Sequence, residues 1–154
     1  MSMRGETMVM IREAKKEDSA RLVDIWRDAV VATHDFLSSD DVSFYYGQLR
    51  DIYLPALEVW VAEEPAGRMA GFIGLSENKV EMLFVDPAQH GKGIGRALLG
   101  HAETLKGTLL VDVNEQNPAA HAFYLKYGFE EVGYSALDGS GRPFPLIHMA
   151  QRKK

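Results

Sequence analysis

Apolar residues follow two different spacings along this chain of 154 residues. From Leu22 to Thr33 and from Ile94 to Leu105 they recur three or four positions apart, which predicts amphipathic helices. A weaker helical pattern starts at Ser39 or Asp40 and ends near Ile52, and a further helix is predicted from Pro118, capped by Asn117, to Tyr127. Alternating or β-rich runs predict strands at 9–12, 58–63, 69–75, 79–85, 109–113, 132–136 and 146–150.

The elements follow the order β-α-α-β-β-β-α-β-α-β-β, which predicts an α/β chain with a mixed sheet, in the α+β sense. Three successive strands without intervening helices predict an antiparallel meander at the centre. Within the third of these strands, regular alternation places Glu81 on the face opposite Val80 and Met82. The length suits one domain at residues 8–154, preceded by a flexible polar N-terminus at 1–7.

Composition excludes several kinds of site. The chain has no cysteine, which excludes disulfides, thiolate zinc sites and a cysteine nucleophile. Five histidines show no metal-binding spacing, so no metal is predicted. A formal charge of −5 argues against a nucleic-acid partner, and no apolar run reaches membrane-spanning length. These features predict a cytoplasmic protein that binds neither nucleic acid nor membrane.

A glycine-rich turn, His90-Gly91-Lys92-Gly93-Ile94-Gly95-Arg96, joins the strand ending at Val85 to the next helix. Glycines leave backbone N–H groups open at a helix N-terminus, which is an anion-binding arrangement, and two basic side chains add positive charge. A Walker A loop is excluded because Gly93 stands where Ser or Thr is required. A G-x-G-x-x-G fingerprint is excluded because Arg96 or Leu98 stands at the third glycine position.

The turn resembles motif A of the GCN5-related N-acetyltransferases, in which Arg or Gln is followed by two residues, Gly, one residue, and Gly or Ala. Aligned on Gly93 and Gly95, the Arg or Gln position is occupied by His90, which departs from the family pattern. The resemblance implies that backbone amides of this turn hold the pyrophosphate of acetyl-CoA.

A second stretch, from Val111 to Phe129, resembles motif B of the same family. The matching residues are Asn117, Ala120, Phe123, Tyr124, Gly128 and Phe129. Together the two motifs imply the acetyltransferase fold, whose central sheet splays between the motif A and motif B strands. They imply direct transfer of an acetyl group from acetyl-CoA to a primary amine. Contacts to the cofactor are implied for Leu83, Phe84, Val85, His90, Gly91, Lys92, Gly93, Ile94, Gly95, Arg96, Asn117, Ala120, Phe123 and Tyr124.

Aminolysis of a thioester needs an uncharged amine and benefits from an acid at the departing sulfur. The resemblance makes Tyr124 the candidate acid and Glu81 the candidate base, while Asp112 and His34 remain alternative bases. Candidate acceptor-binding residues are His34, Phe36 and Tyr46, with Tyr45 and Tyr53 as further aromatic candidates. For the segment Gly139–Phe144 a plain hairpin turn is favoured over a loop that covers the acceptor.

The sequence leaves the acceptor open between a small molecule and a peptide amine. It also leaves the assembly open between a monomer and a homodimer. An alternative to the enzyme is a non-catalytic acyl-CoA-binding sensor that retains the cofactor cleft.

Overall fold

The structure, a computed structural model, describes residues 9–33, 36–89 and 91–152. The predicted flexible segment 1–7 lies outside the described residues, as do the candidates His34 and His90. For Thr33, Ile52 and Tyr53 the backbone alone is described.

Seven strands of the described chain form one mixed sheet in the order β1-β2-β3-β4-β5-β7-β6. The strands are Met10–Glu13 (β1), Glu58–Glu63 (β2), Met69–Ser76 (β3), Lys79–Val85 (β4), Leu110–Asn114 (β5), Phe129–Ser135 (β6) and Leu146–Gln151 (β7). The β4–β5 ladder is parallel, and the other ladders are antiparallel. This confirms the predicted mixed sheet and its antiparallel meander from β2 to β4.

Helices cover both faces of the sheet. They are Ser19–Thr33 (α1), Ser39–Gln48 (α2), Leu54–Ala56 (α3), Ile94–Lys106 (α4) and Pro118–Tyr127 (α5). Apolar residues of α1 and of the α2 region pack on one face around Phe72, and those of α4 and α5 pack on the other around Ile73 and Phe129. Burial of these amphipathic faces supplies the main driving force for folding.

Local signals set most helix ends. The side chain of Asn117 accepts from Ala120 N over 3.2 Å and caps α5, as predicted, and α4 ends at Gly107. The second helix differs from its prediction, because it continues beyond Gln48 as a π-helical segment, Leu49–Tyr53, and then as α3. Strand β6 starts at Phe129, three residues earlier than predicted, because Phe129 pairs with the distant Gln151.

Strand β4 contains a β-bulge at Glu81. Leu75 of β3 pairs with Val80 and the adjacent Gly74 pairs with Met82, which leaves Glu81 as an extra residue. A bulge reverses the alternation of side chains that follows it. Val80 therefore packs in the α4 and α5 core, whereas Met82 packs in the α1 core. The prediction that Val80 and Met82 share a face is wrong, because regular alternation was assumed through the bulge.

Candidate active site

Strands β4 and β5 separate soon after they meet. Within the described chain their ladder contains two residue pairs, Lys79 with Leu110 and Val80 with Val111. Beyond Val80, the segment Leu83–Val85 pairs with β3 on one side, and no ladder to β5 is present in the described part of the chain. The backbone of β4 is thus open along the side that faces β5.

The glycine turn leads directly into α4. Gly91 and Gly93 have φ angles of 83° and 79°, a backbone region that L side chains rarely adopt. Gly93 is the N-cap of α4, and the first N–H groups of a helix have no partner within the helix. The turn therefore presents unpaired donors at the positive end of the helix dipole, where an anion is stabilised.

Asp86 anchors the strand end that precedes this turn. Its carboxylate accepts hydrogen bonds from Arg21 over 2.8 Å and from Ala88 N over 3.0 Å. Burial on its own raises the pKa of Asp86, but these hydrogen bonds outweigh it and hold the pKa below its usual range. The turn is thus tied to α1 by an ionised, buried carboxylate.

A cleft of about 390 Å³ lies between the end of β4, the N-terminus of α4 and helix α5; we name it the splay cleft. Gly95 allows a close approach at its wall, because a Cβ there would lie 3.2 Å from Cζ of Phe123. The splay cleft is lined by Ala29, Leu83, Phe84, Val85, Gln89, Gly91, Gly93, Ile94, Gly95, Arg96, Asn117, Ala119, Ala120, Phe123 and Tyr124.

Tyr124 reaches the splay cleft from α5. Its ring is buried at 7% exposure and packs edge-on against Phe123 and Phe129. The described residues offer its hydroxyl no hydrogen-bond partner, and burial raises the pKa of Tyr124 well above its usual value. The hydroxyl thus stays protonated at neutral pH and is available to a molecule in the cleft.

A second cavity, of about 310 Å³, lies on the α1 side of the sheet; we name it the aromatic cavity. Aromatic walls come from Trp26, Tyr45, Phe84 and Phe144. Its charged lining residues are Lys79, Glu81, Asp112 and Asp138, and the rest of the lining is Val30, Leu37, Leu49, Met82, Asn114, Gly139, Ser140 and Leu146. Phe84 lines both cavities, so the two adjoin at β4.

The segment between β6 and β7 closes one side of the aromatic cavity. Asp138 accepts a hydrogen bond from the hydroxyl of Tyr45 and further bonds from the backbone of Ser140 and Arg142. Arg142 pairs with Asp41 of α2 over 2.9 Å and stacks on Phe44 at 3.7 Å. The segment is thus attached to α2 and covers the cavity, so the interpretation of Gly139–Phe144 as a plain turn is wrong.

Comparisons with known proteins agree with this architecture. The family model described as the acetyltransferase (GNAT) domain matches residues 55–131. The peptidyl-lysine N-acetyltransferase YjaB of Salmonella typhimurium is 40% identical over 145 residues, which cover 92% of this chain and 97% of that protein. The chain belongs to the GCN5-related N-acetyltransferase family. The Escherichia coli YjaB is likewise 40% identical, over 93% of this chain and 97% of that protein.

Solved structures agree with the fold. The solution structure of apo-form YjaB from Escherichia coli superposes with a TM-score of 0.88 at 38% identity, covering 96% of this chain and all of that one. The PaiA N-acetyltransferase from Thermoplasma acidophilum, in complex with coenzyme A, has a TM-score of 0.75 at 22% identity, covering 96% of this chain and all of that one. The protein is therefore an N-acetyltransferase that acts on an amine, in line with the predicted enzyme class.

The structure brings together most residues that the acetyltransferase motifs single out. The described candidates in the splay cleft are Leu83, Phe84, Val85, Gly91, Gly93, Ile94, Gly95, Arg96, Asn117, Ala120, Phe123 and Tyr124. Lys92 is the exception, since its Nζ donates to Oε1 of Gln89 over 3.0 Å and the residue is not part of the cleft lining. Glu81 lies in the adjoining aromatic cavity.

Two acceptor candidates lie away from the aromatic cavity. Tyr46 packs on Trp26 at 6.3 Å between ring centroids and carries Arg50 over its ring. Phe36 stacks on Phe144 at 5.8 Å behind the cavity wall. The structure places Tyr45 on the wall instead of Tyr46, because consecutive helical residues point about 100° apart.

The polar residues His148 and Ser135 lie beside this cavity, through the contact of His148 with Asp112, and are not among the candidates named from the sequence. The sequence contains a signal for the position of His148, because the apolar residues Ile147 and Met149 flank it in a predicted strand. Alternation then places His148 on the face away from the core. No helix within the described ranges is long and apolar enough to cross a bilayer, and these ranges contain no cluster of metal-ligating side chains.

Proposed function

We propose that this enzyme transfers the acetyl group of acetyl-CoA, held in the splay cleft, to the side-chain amine of a peptide lysine held in the aromatic cavity. The observation that carries the proposal is that the two cavities adjoin at Phe84 and have complementary chemistry. One presents a helix N-terminus suited to an anion, and the other presents aromatic walls with carboxylates suited to a cation. The name of the YjaB relatives, peptidyl-lysine N-acetyltransferase, supports the same acceptor class.

The residues of the splay cleft fit acetyl-CoA. Pyrophosphate oxygens need several donors close together, which the N–H groups at Gly93 and the start of α4 supply. The open backbone of Leu83–Val85 offers further donors and acceptors to an amide-containing arm. Bound there, the cofactor supplies a thioester whose carbonyl carbon accepts the amine nitrogen and whose sulfur departs as a thiolate.

The aromatic cavity fits an alkylammonium side chain. Its volume of about 310 Å³ is at the low end for ligand pockets, which favours one side chain over a bulky small molecule. Faces of Trp26, Tyr45 and Phe84 suit the methylene stem and attract the ammonium group. Three carboxylates against one lysine leave an excess of negative charge near the expected position of the acceptor nitrogen.

Catalysis is assigned to two side chains. A lysine amine has a pKa of ~10.4, so at neutral pH a base must remove a proton before the nitrogen can attack. Glu81 is the proposed base, since it lines the aromatic cavity on the face of β4 opposite Val80. Tyr124 is the proposed acid, which donates its hydroxyl proton at the departing sulfur.

An acceptor panel tests the proposal. A blocked peptide with one lysine is compared with the same peptide carrying arginine or norleucine at that position, with a lysine-free peptide bearing a free N-terminus, and with a polyamine. Because the chain has no cysteine, released CoA can be followed with a thiol reagent without background from the enzyme.

We expect turnover with the lysine peptide at least tenfold faster than with the other acceptors. Exclusive use of the free N-terminus or of the polyamine would refute the lysine assignment. Binding of CoA with no turnover on any acceptor would instead support the sensor function.

A further inference from the structure

A chain of hydrogen bonds crosses four strands beside the aromatic cavity. Nζ of Lys79 on β4 donates to Oδ2 of Asp112 on β5 over 2.8 Å. Oδ1 of Asp112 lies 2.6 Å from Nδ1 of His148 on β7, whose Nε2 lies 2.6 Å from Oγ of Ser135 on β6. We call these four residues the polar chain.

Strand register holds the polar chain in place. Asp112 pairs directly with His148, while Ile147 and Met149 point into the core on the other face. Gly133 pairs with His148 on its other side, and a Cβ at Gly133 would lie 3.3 Å from Cδ2 of the ring. The missing side chain at Gly133 therefore leaves room for the imidazole to reach both Asp112 and Ser135.

Lys79 has two carboxylates within reach and bonds one of them. Its Nζ lies 2.8 Å from Asp112 but 4.0 Å from Oε1 of Glu81, and the second distance is beyond hydrogen-bonding range. Burial on its own lowers the pKa of Lys79, but the carboxylates outweigh it and raise the pKa, so the lysine stays charged. In Asp112, burial raises the pKa but hydrogen bonds from His148 and Lys79 outweigh it and lower the pKa, so this carboxylate stays ionised.

The carboxylate of Asp112 requires a proton on Nδ1 of His148. Nδ1 therefore donates to Asp112, while Nε2 shares a hydrogen bond with Oγ of Ser135. Asp112 is thereby oriented with its other oxygen toward Lys79. The titratable groups that face Glu81 across the cavity are then Lys79, Asp112, Tyr45 and Asp138.

We propose that Asp112, oriented by His148 and Ser135, acts as a positioning residue that holds the ammonium group of Lys79 away from Glu81 and so keeps Glu81 available as the base. Without this hold, Lys79 turns to Glu81, because an ammonium ion in a partly buried cavity takes the nearest carboxylate. An ion pair at Glu81 competes with the acceptor ammonium and weakens the base. The proposal rests on the base role that we assign to Glu81.

The test measures kcat/KM for an accepted amine against pH in Asp112→Asn, in Asp112→Asn with Lys79→Met, and in Glu81→Gln. Asp112→Asn is expected to lose about tenfold and to move the acidic limb of the profile about one pH unit lower, since a neighbouring cation lowers a carboxylate pKa by 1–3. Adding Lys79→Met is expected to restore kcat/KM to within about threefold of the wild-type value and to return the acidic limb to its wild-type position.

Glu58→Gln is the matched control, because it removes a carboxylate that pairs with Lys106 over 2.7 Å outside both cavities. Its profile is expected to follow that of the wild type. If the double variant stays as slow as Asp112→Asn, Asp112 has a direct role and the proposal is wrong. If Glu81→Gln keeps the wild-type profile, Glu81 is not the base and the proposed function loses this assignment. If Glu81→Gln loses activity but Asp112→Asn keeps the wild-type profile, Glu81 remains the base and only the positioning role of Asp112 is refuted.

Discussion

Replacing Tyr124 by phenylalanine removes a single hydroxyl from the splay cleft. The substitution therefore tests the effect of this hydroxyl on kcat separately from its effect on the free energy of unfolding. The ring is buried and packs on Phe123 and Phe129, and phenylalanine keeps both contacts. The hydroxyl has no partner among the described residues, so no hydrogen bond to this part of the chain is lost. The free energy of unfolding is therefore expected to change by less than about 1 kcal/mol.

The expected effect on turnover is much larger. A positioned general acid contributes ~10²–10⁴-fold to a rate. The departing thiolate has a pKa near ~8.5 by analogy with cysteine, so protonation is expected to accelerate its departure by an amount at the lower end of that range. We therefore expect kcat to fall about 100-fold, which corresponds to about 2.7 kcal/mol of transition-state stabilisation. The Kd for acetyl-CoA is expected to change less than threefold, because the cleft keeps its shape.

Tyr127→Phe is the matched control on the same helix. Its hydroxyl donates to Glu103 over 3.0 Å and is not part of the splay cleft lining. This variant is expected to lose about 1 kcal/mol of stability and to keep kcat, the reverse of Tyr124→Phe. CoA release and thermal unfolding measure the two effects on the same samples. An unchanged kcat in Tyr124→Phe, or an equal fall in Tyr127→Phe, would refute the assignment of Tyr124 as the acid.

Three further predictions concern the turn and the cavity wall. Gly93→Ala forces a side chain into a φ of 79° at the N-cap of α4, so KM for acetyl-CoA should rise at least fivefold, whereas Gly67→Ala, with a φ of 90° in the β2–β3 turn, should reduce stability without changing KM. Arg142→Ala removes the attachment to α2, so KM for the acceptor should rise several-fold while the Kd of CoA is unchanged. Asp86→Asn should cost about 2 kcal/mol at pH 7 in urea unfolding, and the cost should shrink near pH 3. The native pKa of Asp86 is depressed, so its contribution is present above the unfolded value of ~3.9 and is lost as pH falls through the native value.

Local sequence signals predicted the elements around the splay cleft well. The glycine turn, the Asn117 cap and the helix that carries Tyr124 each depend on residues close together in the chain. The position of these elements around one cleft followed from the family resemblance and the order of strands. The structure places nearly all of the described candidates in the splay cleft, and Lys92 differs because its side chain bonds the nearby Gln89.

The lining of the aromatic cavity was predicted less well because it depends on contacts between distant segments. Tyr45 faces the aromatic cavity, where its hydroxyl donates a hydrogen bond to Asp138, a residue far along the chain. His148 and Asp112 become neighbours only through the register of β5 and β7. Helical spacing and turn composition contain no information on such pairings, so the sequence named both Tyr45 and Tyr46 without separating them and favoured a plain turn where the structure has a cavity wall.

The bulge at Glu81 connects the two halves of the site. The parallel pairing of β4 with β5 ends at Val80, the residue immediately before the bulge, and the splay cleft opens beyond it. The same extra residue reverses the alternation, so that Met82 and Phe84 face the aromatic cavity after Val80 has faced the opposite core. A regular strand would keep Met82 on the Val80 side. The inserted residue therefore places Met82 and Phe84 on the same face as Glu81, the proposed base, at the point where the β4–β5 ladder ends, so that both cavities meet on β4.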